Sequence, residues 1–325
     1  MTTRRTALRG LAAGTATLMA GRGFAQDDKS PITVLVGAAS VMDYTARLVA
    51  EQMRETLGRP AVVVSKLGAG QRLALGECKR AAPDGRTLVF VTSGPFAIYP
   101  HVYAKLDYDP VADFTPIIGV SKFDVAIATG PGTGATTLRQ LVDWAKARKP
   151  GDAVYGSAPG NGSLSHFLGI SVALATHTKL THVPYKDSGV GLIDLSAGRL
   201  PIMITGLQPQ IQLHKAGKIK ILAVSGDKRS PLVPEVPTLA EAGIDISSST
   251  STGIFGPAGL SADLVKRYHD AIAPMLANAA IQDKLVGQAS TVWHATPTEL
   301  AASIAEERKR FEQLAHASGF VKQEA

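Results

Sequence analysis

Short runs of β-branched and aliphatic residues alternate with segments of helical spacing along most of this chain, and that alternation admits few folds. "ITVLVG" suits a buried strand, and "DYTARLVAEQMRETLG" follows at a helical period, with Asp43 near its start and Gly58 at its end. The pair repeats as "PAVVVSKL", "QRLALGECKRAA" and "GRTLVFVTS", with "APDG" as the turn between the last two. A second series runs from "FDVAIATG" through "TLRQLVDWAKARK", "DAVYGSA", "SLSHFLGISVALAT", "KLTHVPY", "SGVGLIDLSAG", "LPIMITG" and "PQIQLHKAG" to "IKILAVSG". Such alternation predicts an α/β fold of mostly parallel sheets flanked by helices on both faces.

The two series predict two lobes, and 325 residues are enough for both. The chain is expected to cross from one to the other near residues 123–129 and to return near residues 249–255. Lobe 1 is then residues 26–125 and 252–325, and lobe 2 residues 126–251. After "TGIFGPAG" the pattern reads as mainly helices that cap the first lobe. Two hinge crossings permit closure around a ligand, in a cleft at the C-terminal ends of the strands.

The first 25 residues read separately. "MTTRRTALRGLAAGTATLMAGRGFAQ" has a basic start, a short apolar middle and a small-residue exit, the order of an export signal cleaved near Ala25. Arg4 and Arg5 resemble the twin-arginine pattern, with Ala7 where that pattern prefers Phe; Sec export is the alternative. The apolar stretch is far below the ~20 residues of a spanning helix. Removing the signal takes away four arginines and no acid, so the formal charge falls from +7 to +3. No dense basic stripe remains, which excludes a nucleic-acid partner. Cys78 is the only cysteine, so neither an internal disulfide nor a cysteine-based zinc site is available, and among alanines it reads as a packed thiol.

The stretch "YGSAPGNGSLSHFLG" gathers small and hydroxyl residues between a strand and a helix. A serine nucleophile there lacks the GxSxG elbow, and Ser165 and His166 are neighbours pointing about 100° apart on a helix. A hydrolase using Ser163 or Ser165 is therefore the competing reading. "GAGQRL" has Leu73 where a dinucleotide loop needs its third glycine, and reads as a turn relying on Gly68 and Gly70. His177 and His182 have no carboxylate or cysteine nearby to complete a metal site. What remains is an anion seat: a strand ending at Ala158 and a helix from about Ser163 would leave amides unpaired in the cleft, aided by the hydroxyls of Ser163 and Ser165. Polar strand ends recur at "TSGPFAIYP" and "GAASVMD", giving three that face one cleft.

"RPAVVVSKLGAGQ", "AAPDGRTLVFVTSGPFAIYP", "YAKLDYDPVADFTPI", "GNGSLSHFLG", "HVPYKDS", "HKAGKIKILAVSGDKRSPLVPEVPTLAEAG" and "FGPAG", in this order, resemble the Bug family of periplasmic solute receptors, the binding proteins of tripartite tricarboxylate transporters. The resemblance spans nearly the whole chain after the signal. It implies a two-lobed periplasmic-binding-protein fold, type II-like, with no enzymatic activity and no cofactor. It also implies a periplasmic monomer that takes a small carboxylate to membrane transporter subunits or a sensor protein. Contacts implied are Ser40, Val41, Met42, Ser93 and Ala97 in lobe 1, and Asn161, Gly162 and Ser163 in lobe 2, with Tyr185 closing the cleft and Lys186 nearby. The first loop lacks the family's aromatic. Pro201 and Thr205 stand where relatives carry two aspartates, one of which enters the cleft; Thr205 joins the expected contacts. A cleft without that acid disfavours amino acids and points to a larger or less charged carboxylate. The same departures admit a ligand-free scaffold or signalling protein on this fold.

Overall fold

The computed structural model describes residues 30–39 and 41–324; the expected signal and Ser40 lie outside the described residues. Strands β1 (Ile32–Val36), β2 (Ala61–Ser65) and β3 (Thr87–Thr92) run parallel in the order β2-β1-β3, connected through helices α1 (Val41–Leu57) and α2 (Arg72–Lys79). Two single turns, α3 (Gly94–Ala97) and α4 (Tyr99–Val102), lead into β4 (Phe114–Thr129), a strand of 16 residues. The second half contains α5 (Leu138–Lys146), β5 (Val154–Ser157), α6 (Leu164–Thr176), β6 (Thr181–Pro184), α7 (Ser188–Ser196) and β7 (Ile202–Gly206), then α8 (Ile211–Lys215) and β8 (Lys220–Val224). Its parallel strands take the order β6-β5-β7. The chain returns through β9 (Ser249–Pro257) and ends with α9 (Ala262–Ala277), α10 (Ala279–Gly287), β10 (Ser290–Ala295) and α11 (Pro297–Ala317).

The long strand belongs to both halves. Residues 114–124 of β4 pair antiparallel with β9, and residues 125–129 pair antiparallel with β7. The result is a two-lobed α/β fold, each half built of parallel outer strands against antiparallel crossing strands. The segment after "TGIFGPAG" is mainly helical, as expected, with one strand the sequence pattern did not name: β10, which adds antiparallel to β4. Only the two ends of "STVWHA" are buried, so an edge strand of this kind shows no clean two-residue alternation to read.

Both faces of the sheet are buried, which accounts for the continuous apolar runs. In β1, Ile32, Val34 and Val36 pack with Leu88 and Phe90 of β3 on one face, and Leu35 packs with Val89 and Val91 on the other. In the second half Val125, Ile127, Ile202 and Ile204 face one way, and Ala126, Ala128 and Met203 the other. Cys78 is fully buried, and burial pushes its thiol up to about 12, in keeping with a packed rather than reactive thiol.

One helix of the second half is anchored in the core of the first. Phe167 of α6 is fully buried, its ring centroid 5.6 Å from Phe311 of α11 and 5.4 Å from Phe320. Gly162, at φ 71°, approaches Val102 of α4 so closely that a Cβ would collide with it. Behind this contact His166 stacks on His182 with centroids 3.7 Å apart and planes 12° from parallel. His166 Nδ1 accepts the Gly162 N–H at 3.2 Å, and His182 Nε2 lies 2.7 Å from Ser157 Oγ. The rings therefore pin both ends of the loop that precedes α6.

Burial lowers both imidazoles from the ordinary 6.5, His166 to about 3, with a further push from His182, and His182 to about 4. Between those values and 6.5 the unfolded chain binds protons that the folded chain does not, so stability is lost as pH falls. From pH 7 to pH 5 the pair is expected to cost about 2–4 kcal/mol, at up to about 1.4 kcal/mol per pH unit for each ring. Urea unfolding across that range should show a clearly shallower slope for the double variant His166→Asn, His182→Asn. At the end of β4, a Cβ on Gly130 would lie against the Leu195 carbonyl oxygen, a backbone atom that cannot swing aside. Gly130→Ala is expected to lower the unfolding free energy by about 1–3 kcal/mol in the same assay.

Candidate functional site

Strands that end on one side of two joined sheet halves leave a crevice between them. Here it is a cavity of about 370 Å³, lined from the first half by Met42, Ser93 and Phe311 and from the second by Ser163, Thr205 and Leu207. The ends of β1, β3 and β5 all reach it, through Ala38 and Ala39, Thr92 and Ser93, and Ala158 and Pro159.

The second-half wall is the start of α6. Ser163 is its N-cap: Oγ accepts from His166 N at 3.2 Å and donates to Gly160 O at 2.8 Å. Ser165 Oγ donates to Ala158 O at 3.1 Å. Both hydroxyls expected to face a ligand are thus spent on the loop itself, because buried donors next to open carbonyls pair locally first. The Gly162 amide is likewise spent on His166. The amides of Ser163, Leu164 and Ser165 carry no hydrogen bond among the described residues, since a helix has no acceptor for its first turn. With the positive end of a 13-residue helix behind them, they form an anion seat of main-chain donors.

The first-half wall differs from expectation. The start of the 17-residue helix α1 reaches the cavity through Val41 and Met42. The second expected seat, at Ser93, is closed: its amide donates to Ser251 O at 2.8 Å, and its hydroxyl is engaged by Glu307. Gln71 completes this wall from a left-handed turn at φ 74°, where its amide side chain donates to Thr92 Oγ1 at 2.7 Å and accepts from Thr92 N at 3.1 Å. Non-glycine residues at such angles, here Ala69 and Gln71, are held only where surrounding contacts enforce them.

Acids also line the cavity. Asp124 lies on β4 opposite Ser249, whose Oγ donates to its Oδ1 at 2.6 Å. Glu307 of α11 accepts from Ser251 Oγ at 3.3 Å. Neither makes an ion pair among the described residues. Burial raises both carboxyls above the usual range, for Asp124 against the bond from Ser249 and for Glu307 against the bonds from Ser93 and Ser251. The expectation of a cleft without a carboxylate is therefore corrected. The acids enter from the crossing strand and the last helix, not from the strand after "SAG".

Of the expected contacts, Val41, Met42, Ser93, Gly162, Ser163 and Thr205 come together at the cavity, and Lys186 lies at its edge, exposed. Ala97, Asn161 and Tyr185 do not line it. Ala97 points into the first-half core, and Tyr185 packs in the second, its hydroxyl donating to Asp194 Oδ2 at 2.8 Å. A motif carries a residue's place in the chain, not the direction of its side chain. Gln71, Asp124 and Glu307 were missed. For Glu307 a signal existed, because it falls in the apolar stripe of Leu300, Ile304 and Phe311, where a solvated charge does not belong.

His166 and His182 hold each other and the loop, so neither serves Ser163 or Ser165 as a base, and the hydrolase reading has no nucleophile to activate. Among the described residues no group of three or more His, Cys, Asp or Glu side chains could hold a metal, and no helix is long and apolar enough to cross a membrane.

Three comparisons with known proteins agree with this architecture. BugT of Bordetella pertussis is 27% identical over 279 residues, covering 85% of each chain. The R. palustris protein Rpa4515, solved with adipate, has a TM-score of 0.82 at 28% identity, covering 90% of this chain and 98% of its own. MatC from Rhodopseudomonas palustris, solved with bound malate, has a TM-score of 0.76 at 28% identity, covering 88% of this chain and 98% of its own. The family model described as tripartite tricarboxylate transporter family receptor matches residues 45–320, most of the chain, and the protein belongs to that family of solute-binding receptors rather than to an enzyme family.

Proposed function

We propose that this chain is exported to the periplasm, closes on a small organic carboxylate and presents it, as a monomer, to membrane subunits of a tripartite tricarboxylate-type transporter or to a sensor protein. The observation that carries the reading is the row of unpaired amides at Ser163, Leu164 and Ser165, set at the start of α6 on the wall of an inter-lobe cavity. Lobe 1 would be residues 26–125 and 252–325 and lobe 2 residues 126–251. The carboxylate would sit between the start of α6 and that of α1, with Val41, Met42, Ser93, Gly162, Ser163 and Thr205 around it. Each charge-assisted bond would contribute about 1.5–3 kcal/mol, more firmly once closure excludes water. That Rpa4515 and MatC hold adipate and malate supports a carboxylate as the ligand class.

A thermal-shift screen over mono-, di-, tri-, amino- and aromatic carboxylates is expected to raise the melting temperature with at least one class; a flat response across the panel overturns the reading and favours the scaffold alternative. For the ligand found, Leu164→Pro deletes one donor at a position where a helix accepts proline, and should weaken binding about tenfold or more. Leu164→Ala keeps the amide and should bind within about twofold of the native chain, which separates the donor from the packing. Ser165→Ala should lower stability by about 1 kcal/mol and leave affinity unchanged by calorimetry, because that hydroxyl serves Ala158 O.

A further inference from the structure

The same cavity that offers main-chain donors at one wall carries more negative than positive side chains. Lys186 is its only basic lining residue among those described, against Asp124, Asp187 and Glu307. Lys186 is exposed at the edge, and Asp187 is spent as the N-cap of α7, accepting from Gly189 N at 2.7 Å. The two acids left lie deeper, on elements that meet along the crossing strands. Asp124 pairs with Ser249 and Lys122 with Ser251 across β4 and β9, and Ser251 reaches Glu307. Serine hydroxyls are their hydrogen-bond partners.

Asp124 also borders a neighbouring cavity lined by Lys122, Lys228 and Arg229, where Arg229 is paired with Glu241. The two cations that act on these acids engage other groups. Lys122 Nζ lies over the Trp293 ring, 4.5 Å from its centroid, and the Arg310 guanidinium lies 5.4 Å from the Phe311 centroid, donating to Ser248 Oγ at 3.2 Å. Hydroxyls satisfy a carboxylate's hydrogen bonds without neutralising it; Lys122 favours the charged form of both acids and Arg310 that of Glu307, but neither acid makes an ion pair among the described residues. A dicarboxylate seated at α6 would bring its second charge into the same cavity. A protonated amine there would instead find two acceptors of opposite charge, with hydroxyls already orienting them.

Resting on the carboxylate-receptor reading, we propose that Asp124 and Glu307 form a cation subsite, and that the ligand is an amino carboxylate whose carboxylate meets the start of α6 while its ammonium meets these acids. They are the specificity-determining residues of the cleft. They set the preference for a zwitterion over a dianion of equal length, which the donors at α6 alone would not distinguish.

Calorimetry with purified protein, freed of any co-purified ligand, tests this with matched pairs: adipate against 6-aminohexanoate, and succinate against 4-aminobutyrate. The amino member of at least one pair is expected to bind about tenfold or more tightly than its diacid. Asp124→Asn and Glu307→Gln keep shape and remove charge; each should weaken the amino member about tenfold or more and leave the diacid unchanged or improved. Diacids that bind as tightly as their amino analogues, or amino members indifferent to both substitutions, overturn the subsite while leaving the carboxylate seat standing. Binding by neither member of any pair, together with a flat carboxylate screen, overturns both. The comparison within the native protein holds even where a variant fails to fold.

Discussion

The structure depends on one strand serving two sheets. β4 gives residues 114–124 to the first half, where Ile117, Ile118 and Val120 are packed into its core, and residues 125–129 to the second, where both faces are apolar. Pulling the halves apart would expose those faces and break ladder bonds on both sides at once, so the shared strand holds the halves together. The switch falls between Asp124 and Val125, where the β9 pairing ends and the β7 pairing begins. Ser225 reinforces it, its Oγ accepting from Val125 N and donating to Ser248 O. Every polar strand end at the crevice is placed by this arrangement.

Helix α6 resists free rotation. Phe167 inserts among Phe311 and Phe320 of the first half, and fully burying a phenylalanine contributes about 1.5–3 kcal/mol. The donor amides at the head of this helix are therefore held by a contact that crosses the crevice, and by the stacked pair of histidines behind it. The seat is pre-formed, so little loop ordering is left to be done when an anion arrives.

The alternation of strand and helix was legible because burial on both faces turns strands into unbroken apolar runs, and the crossing strands were visible as the joints between two such series. The C-terminal edge strand β10 was not, because a strand buried only at its ends alternates too weakly. At the site, the loop from Ala158 to Ser165 was legible as a donor-rich turn, but the assignment of its hydroxyls was not. Whether Ser163 and Ser165 face a ligand or their own carbonyls depends on where Gly160 O and Ala158 O point, which no local pattern encodes. Asp124 and Glu307 are separated by 183 positions in the chain and become neighbours of one cavity only through the β4–β9 pairing and the return of α11. Ala97 and Tyr185, expected at the cleft from the family motifs, have side chains that pack in the two cores instead.

The position of Asp124 ties charge to motion. It is the last residue of β4 to pair with β9, so any rotation about the switch would move its carboxylate relative to α6. Closing the crevice would remove more water from two carboxyls that burial already raises, so each would either stay charged at a cost or take up a proton, and both oppose closure in an empty receptor. An anion alone at α6 leaves that cost in place. On the proposed subsite, a ligand with charge of both signs would offset it at the point where the halves meet, so the two acids that would select the ligand would also make closure conditional on its arrival.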